Sequence, residues 1–114
     1  MTSPDLTTAA AVVEIAADRC TAALDHIADN DGIDANQTLA YDLAHAASAV
    51  TAARSLVESY GPKGATEAAI TCAFVADAIA DLIVRTVGHE AEWGVETDTW
   101  APAHEFLAQW RSAE

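Results

Sequence analysis

The sequence predicts an all-α fold, an antiparallel up-down four-helix bundle of three long helices and a short C-terminal one. Three observations predict it. Alanine, which gives up the least side-chain freedom in a helix, makes up about a quarter of the 114 residues. Apolar residues recur at spacings of three and four along extended stretches. Gly and Pro, which interrupt helices, stand at the ends of those stretches rather than inside them. At this length a single domain, residues 1–114, can bury one core without staples. Small side chains let helix axes approach to about 8 Å, so the core is expected to be thin and tight.

The first helix is expected to start at Ser3 as N-cap, with Pro4 in the first helical position and Asp5 near the positive end of the dipole. Leu6, Ala9, Ala10, Val13, Ala16, Ala17, Leu24 and Ile27 form its apolar stripe. Asn30-Asp31-Gly32 ends it, because these residues tolerate left-handed backbone. The second helix reads from a capping box, Asp34 with Gln37, to Tyr60. Its apolar face is Leu39, Leu43, Ala46, Ala47, Val50, Ala53 and Val57, and its polar face includes Asp42, His45, Ser48, Thr51, Ser55 and Glu58.

The turn Gly61-Pro62-Lys63-Gly64 leads into the third helix, Ala65 to Gly88. Here apolar residues occupy almost the whole circumference, and the charges collect on one narrow edge, Asp77, Asp81 and Arg85. A helix of that kind is central in its domain or covered by a second chain, and in four helices none is fully central. Phe74, Ile79, Ile83 and Val87 are therefore expected at an interface between copies, in a dimer or tetramer. A loop ending near Gly94 follows, and then a fourth helix from about Pro102 to Ser112, with Phe106 and Trp110 four residues apart.

A net charge of −13 with a single lysine, Lys63, argues against a nucleic-acid partner, whose phosphates would be repelled by most of the surface. Charges break every apolar run well short of a membrane span, and no positive segment precedes an apolar one at the N-terminus, so a cytoplasmic protein is expected. Cys20 and Cys72 lack the close spacing of metal or redox motifs and read as reduced packing residues.

Asp42-x-x-His45 and His89-x-x-Glu92 have the spacing used by di-iron bundles, which also need an inward Glu from each of two further helices. The first pair falls on a polar face and the second at a helix end, which favours solvated or capping roles over a metal site. No nucleophile with a partnering base is legible from spacing. Trp93, Trp100, Phe106 and Trp110 gather most of the large aromatics in the last quarter of the chain. They either cap the bundle end or form an exposed anchor patch for a partner.

Gln37, Leu43-Ala44 and Ala52-Ala53-Arg54, followed by Glu67-Ala68-Ala69, Phe74 and Asp77-Ala78, resemble the two core helices of the C-terminal helical domain of acyl-CoA dehydrogenases. The resemblance covers about half of the chain and has no gap within either helix. It implies the same helical hairpin and, as relatives, FAD-dependent enzymes of fatty acid metabolism. It also implies that Arg19 and Gln37 stand where flavin contacts fall, and that Asp98 lies near the position of a catalytic base. The departures are informative. A Gly-Gly-x-Gly turn that lets backbone approach flavin reads Ala91-Glu92-Trp93-Gly94 here, and Ala22 replaces a phenylalanine. The family's other two domains, needed to close a desolvated cleft around flavin and thioester, have no counterpart in these residues.

The expectation is thus a non-catalytic helical assembly domain with no cofactor of its own, self-associating or docking to an acyl-CoA dehydrogenase. One alternative is a small subunit that completes an FAD site in a partner chain. The other is a metal-binding bundle.

Overall fold

The structure, a computed structural model, describes residues 4–111. Its helices are α1 (Leu6–Asp29), α2 (Gly32–Ala35), α3 (Gln37–Ser55), α4 (Ala65–Thr86) and α5 (Ala101–Trp110). Among the described residues there is no strand, and the fold is all-α. α1, α3 and α4 pack against one another, α5 lies on α4 and α1, and the single turn of α2 bridges α1 to α3.

Asp5, not Ser3, caps α1; Ser3 lies outside the described residues. Asp5 Oδ1 accepts from the Thr8 backbone N–H at 3.0 Å and Oδ2 from the Thr8 hydroxyl at 2.6 Å. The hydroxyl bond, then the backbone one, holds the Asp5 carboxyl below the usual carboxylate range. Asp31 at φ 77° and Gly32 at φ 80° end α1, as the left-handed preference of Asn, Asp and Gly predicts. The expected capping box is not made. Asp34 sits inside α2, α3 begins at Gln37, and its N-cap Asn36 turns its amide back to the carbonyls of Asn30 and Gly32, 2.8 Å each.

After Ser55 the helix widens into one π turn, Leu56–Tyr60, and tightens into a 3₁₀ turn, Gly61–Lys63. Gly61 is packed so closely that a Cβ there would lie 2.9 Å from Leu6 Cδ2 and 3.1 Å from the Thr71 hydroxyl. The turn therefore seats the start of α1 against the start of α4, where the Cys72 thiol also approaches the Asp5 carbonyl at 3.9 Å. α4 ends at Thr86, earlier than the sequence pattern indicates, and α5 starts one residue earlier, at Ala101; Ser112 lies outside the described residues.

The core is a seam of small and branched residues: Ala9, Val12, Val13, Ala16, Ala23 and Ile27 from α1, Leu39, Ala46, Val50 and Ala53 from α3, and Cys72, Val75, Ala76, Ile79 and Leu82 from α4. Where Val13, Val50, Val75 and Leu82 meet, a gap of only about 10 Å³ remains, room for about one water. Two parts of the predicted stripe on α1 differ. Leu24 is 57% exposed, whereas Val12, absent from the predicted stripe, is buried. A stripe three to four residues wide drifts around a long helix, and Val12 lies beside Ala9 and Val13 on its inner side.

Glu14 on α1 pairs with Arg54 on α3 through two bonds, Arg54 Nε to Oε2 at 3.0 Å and a terminal nitrogen to Oε1 at 2.8 Å. The Arg54 hydrogen bond holds the Glu14 carboxyl below its ordinary value of 4.5. Its contribution is therefore present above that ordinary value and lost as pH falls through the lower folded one. Both ends are solvated, so the contribution is small. Glu14→Gln should be less stable than wild type at neutral pH, with the difference vanishing on acidification, as urea melts across the acid range will read. Ile79→Ala, which empties a buried site, should cost about 2–5 kcal/mol. Val84→Ser on the outer face of the same helix leaves that core intact and, measured where the chain is monomeric, should change stability by less than about 0.5 kcal/mol.

Candidate functional site

The eight residues expected at an interface divide into three groups. Ile79, Trp93, Trp100 and Phe106 are buried in the chain's own core, so none of them offers surface to a partner. Ile83 and Trp110 are half-buried. Phe74 and Val87 are exposed, and with Ile70 and Val84 they leave an apolar outer face on α4. The inner side of that helix is narrower than its sequence indicates, because two threonines help to line it. Thr71 and Thr86 bury their hydroxyls by donating to the carbonyls of Glu67 and Ile83 at 2.8 Å each. The sequence shows an apolar circumference; only the packing shows which part of it is left uncovered.

The outer face runs Ile70, Phe74, Asp77, Asp81, Val84, spacings of four and three that keep one line along a helix. Both carboxylates on it are met by arginines of the same chain. Arg85 Nε donates to Asp81 at 2.8 Å and Arg111 donates to Asp77. Arg85 also reaches Asp42 on α3 at 2.6 Å, with both side chains only 22% exposed, so this pair ties α3 to α4. The carboxylates, Asp81 foremost, hold the Arg85 pKa above its ordinary value.

The last quarter of the chain is held by Arg19. Its guanidinium donates to the carbonyl of Trp93 at 3.2 Å and to that of Gly94. Gly94 has φ 64°, and a Cβ there would lie 2.9 Å from the Arg19 guanidinium and 3.0 Å from Ala22 Cβ. Positive φ and close approach both require glycine at this position. With the loop pinned, Trp93 is fully enclosed, Trp100 nearly so, and α5 covers the core with Ala103 and Phe106. Three of these aromatics are thus taken up by the chain's own core rather than gathered in an exposed patch, Trp93 beside Arg19 and Phe106 near the start of α1. The indole nitrogens of Trp93, Trp100 and Trp110 and Nε of Arg19 are buried without a hydrogen-bond partner.

Gln37 is exposed at the start of α3 and opens on a cleft of about 350 Å³ between α2, the first turns of α3 and the turn after α4. Asp34, Asp42, His89, Glu92 and Trp93 also line it. Glu92 Oε1 lies 2.8 Å from His89 Nδ1 and its Oε2 lies 3.8 Å from His26 Nε2 on α1. The sequence pairs Asp42-x-x-His45 and His89-x-x-Glu92 therefore diverge. His89 and Glu92 meet, whereas Asp42 turns to Arg85 and His45 sets its ring edge-on to Tyr41, centroids 4.7 Å apart. Among the described residues no group of three His, Cys, Asp or Glu is arranged to hold a metal ion. Asp98, near the position of a catalytic base by resemblance, is exposed in the loop before α5. Burial raises the pKa of both thiols, Cys20 and Cys72, which suits packing rather than nucleophilic chemistry.

Comparison with protein-family models, with characterised proteins and with solved structures finds no match to this chain. Among the described residues no helix is long and apolar enough to cross a membrane.

The Arg19 latch predicts its own perturbation. Gly94→Ala strains the backbone and pushes on Arg19 and Ala22, and should cost about 1–3 kcal/mol. Tryptophan emission should shift to the red as Trp93 gains solvent. An unshifted spectrum with unchanged stability would remove the latch from the account.

Proposed function

We propose that this chain is a non-catalytic helical assembly domain whose α4 joins it to a second copy. The proposed arrangement is an antiparallel up-down bundle in which α1, α3, α4 and α5 alternate in direction. Pairing of Glu14 with Arg54 and of Asp42 with Arg85 supports opposed neighbours, since each pair joins an early residue of one helix to a late residue of the next. The single observation that carries the functional reading is the outer face of α4. Three large apolar side chains, Ile70, Phe74 and Val84, stand in solvent on one helix in the register of a helix-pairing seam, Val84 at 70% exposure, and the exposed Val87 follows directly at its C-cap. The two acidic positions within that seam bring their own arginines, so the seam is locally balanced in a chain of net charge −13.

Kinship with the helical domain of acyl-CoA dehydrogenases is part of the proposal, resting on the α3 and α4 residues that carry the resemblance. Docking to such an enzyme is the second form of the reading, and Gln37 on an open cleft is what favours it. In that form FAD would be held by the partner chain. Arg19 would contribute no flavin contact, because its guanidinium is engaged by the loop carbonyls. The two free cysteines suit the reducing cytoplasm in which we place the protein.

Two copies of net charge −13 repel at long range, and salt screens that repulsion within about 8–10 Å. Light scattering on the purified chain should therefore show a dimer or tetramer that tightens as salt is raised. Phe74→Ser with Val84→Glu should yield a folded monomer with an unchanged helical circular dichroism spectrum. A wild-type monomer at every salt concentration up to hundreds of micromolar protein would end the self-association reading. A dimer that the double variant leaves intact would move the interface off α4.

A further inference from the structure

Of the five Lys and Arg side chains, Arg19, Arg54, Arg85 and Arg111 are engaged within the chain, and only Lys63 makes no hydrogen bond or ion pair with the described residues. It is exposed, in the 3₁₀ turn just before α4. We infer that it is an intermolecular contact: two copies dock through the outer faces of α4 with these helices antiparallel, and Lys63 of each pairs with Glu90 of the other. This orientation rests on the self-association reading and adds to it a direction, a register and a charge pair.

Register and charge agree on it. Ile70 and Val84 stand seven positions on either side of Asp77, so a two-fold axis beside Asp77 sets Ile70 of one copy level with Val84 of the other. Phe74 then lies level with Ala80, a large side chain against a small one. Asp77 of each copy falls near the axis, and each arrives with its own Arg111. The same axis sets Lys63, 14 positions before Asp77, level with the turn that holds Glu90, 13 positions after it. Each pair stands about 20 Å from the axis at a rise of about 1.5 Å per residue, and a mismatch of one position is within reach of two long side chains. Glu90 is exposed, and its carboxylate accepts the Gly88 backbone N–H at 3.1 Å, which holds it beyond the end of α4. Hydrogen bonds from its own backbone N–H and that of Gly88 keep its carboxyl below the ordinary value of 4.5, so it is charged at neutral pH. The negative end of the α4 dipole adds to the attraction. Parallel pairing instead sets Lys63 against Lys63 and Glu90 against Glu90, and aligns the two dipoles.

Because Lys63 is the sole lysine, a carbodiimide, which condenses an amine with a neighbouring carboxylate by loss of water, reads out its contact. An equimolar mixture of light and heavy-isotope chains, first shown by light scattering to be associated, is coupled and digested. Mixed-isotope peptides should join Lys63 to Glu90. Mixed-isotope peptides that join Lys63 only to Glu58 or Glu67, at its own end of α4, mean parallel pairing and overturn the orientation while the dimer stands; the absence of any mixed-isotope link overturns it as well. Charge reversal at constant ionic strength is the second measurement. Lys63→Glu and Glu90→Lys should each weaken association about fivefold or more, because the pair occurs twice across a two-fold. General repulsion between acidic chains predicts the opposite for Glu90→Lys, and tighter association of that variant would overturn the orientation. Both substitutions together exchange the partners of the pair and should restore association, and a double variant no tighter than the singles contradicts the pairing. A wild-type chain that never associates ends the self-association reading itself, so the two failures are told apart.

Discussion

The mutual packing of α1, α3 and α4 through small side chains is the constraint on which the remainder depends. Where Ala16, Ala46, Ala53 and Ala76 meet Val13, Val50 and Val75, the helices interlock with almost no void, and little apolar side chain is spent in doing so. A thin core has two consequences. Burial per residue is modest, so the larger side chains needed to close the structure come from elsewhere, namely Trp93, Trp100 and Phe106. A molecule only 27 by 20 Å across its shorter axes is about two helix diameters thick, which leaves each long helix with an open side.

Electrostatics follow the same economy. With five cationic side chains against eighteen acidic ones, each arginine is committed to a contact that joins two parts of the chain or steadies a helix edge. Arg19 fastens the loop after α4 to α1, Arg54 joins α3 to α1, Arg85 joins α4 to α3, and Arg111 joins the end of α5 to α4. The acidic surplus therefore stands toward solvent.

Helix identity was legible in the sequence because it rests on local periodicity, and Asn30-Asp31-Gly32 ended α1 where left-handed backbone was expected. Caps were less legible. Asp5 and Ser3 are both good N-caps in sequence, and which one is used depends on Thr8 presenting its N–H and hydroxyl three residues after Asp5. The widening at Leu56–Tyr60 leaves no sequence signature; it directly precedes Gly61, which packs against Leu6 and Thr71. Site residues were the least legible. Ile79 and Phe74 look alike in an apolar run, and only the positions of α1 and α3 decide that one is core and the other surface. Arg19 and Glu92 lie 73 positions apart from each other in the numbering, and their roles at the loop and the cleft arise solely from tertiary contact. The one available clue was Gly94, a glycine directly after a tryptophan in a loop, which marks close approach of backbone to a neighbour.

α4 thus has two sides with different duties, an inner one that completes the core and an outer one that we assign to a second copy. Isotope-filtered NMR on an equimolar mixture of labelled and unlabelled chains is the most direct measurement of that assignment. The account predicts intermolecular cross-peaks from the methyl groups of Ile70, Val84 and Val87 and from the Phe74 ring. Cross-peaks arising instead from Leu24 or Ile33, or none at concentrations where the chain is associated, would contradict it.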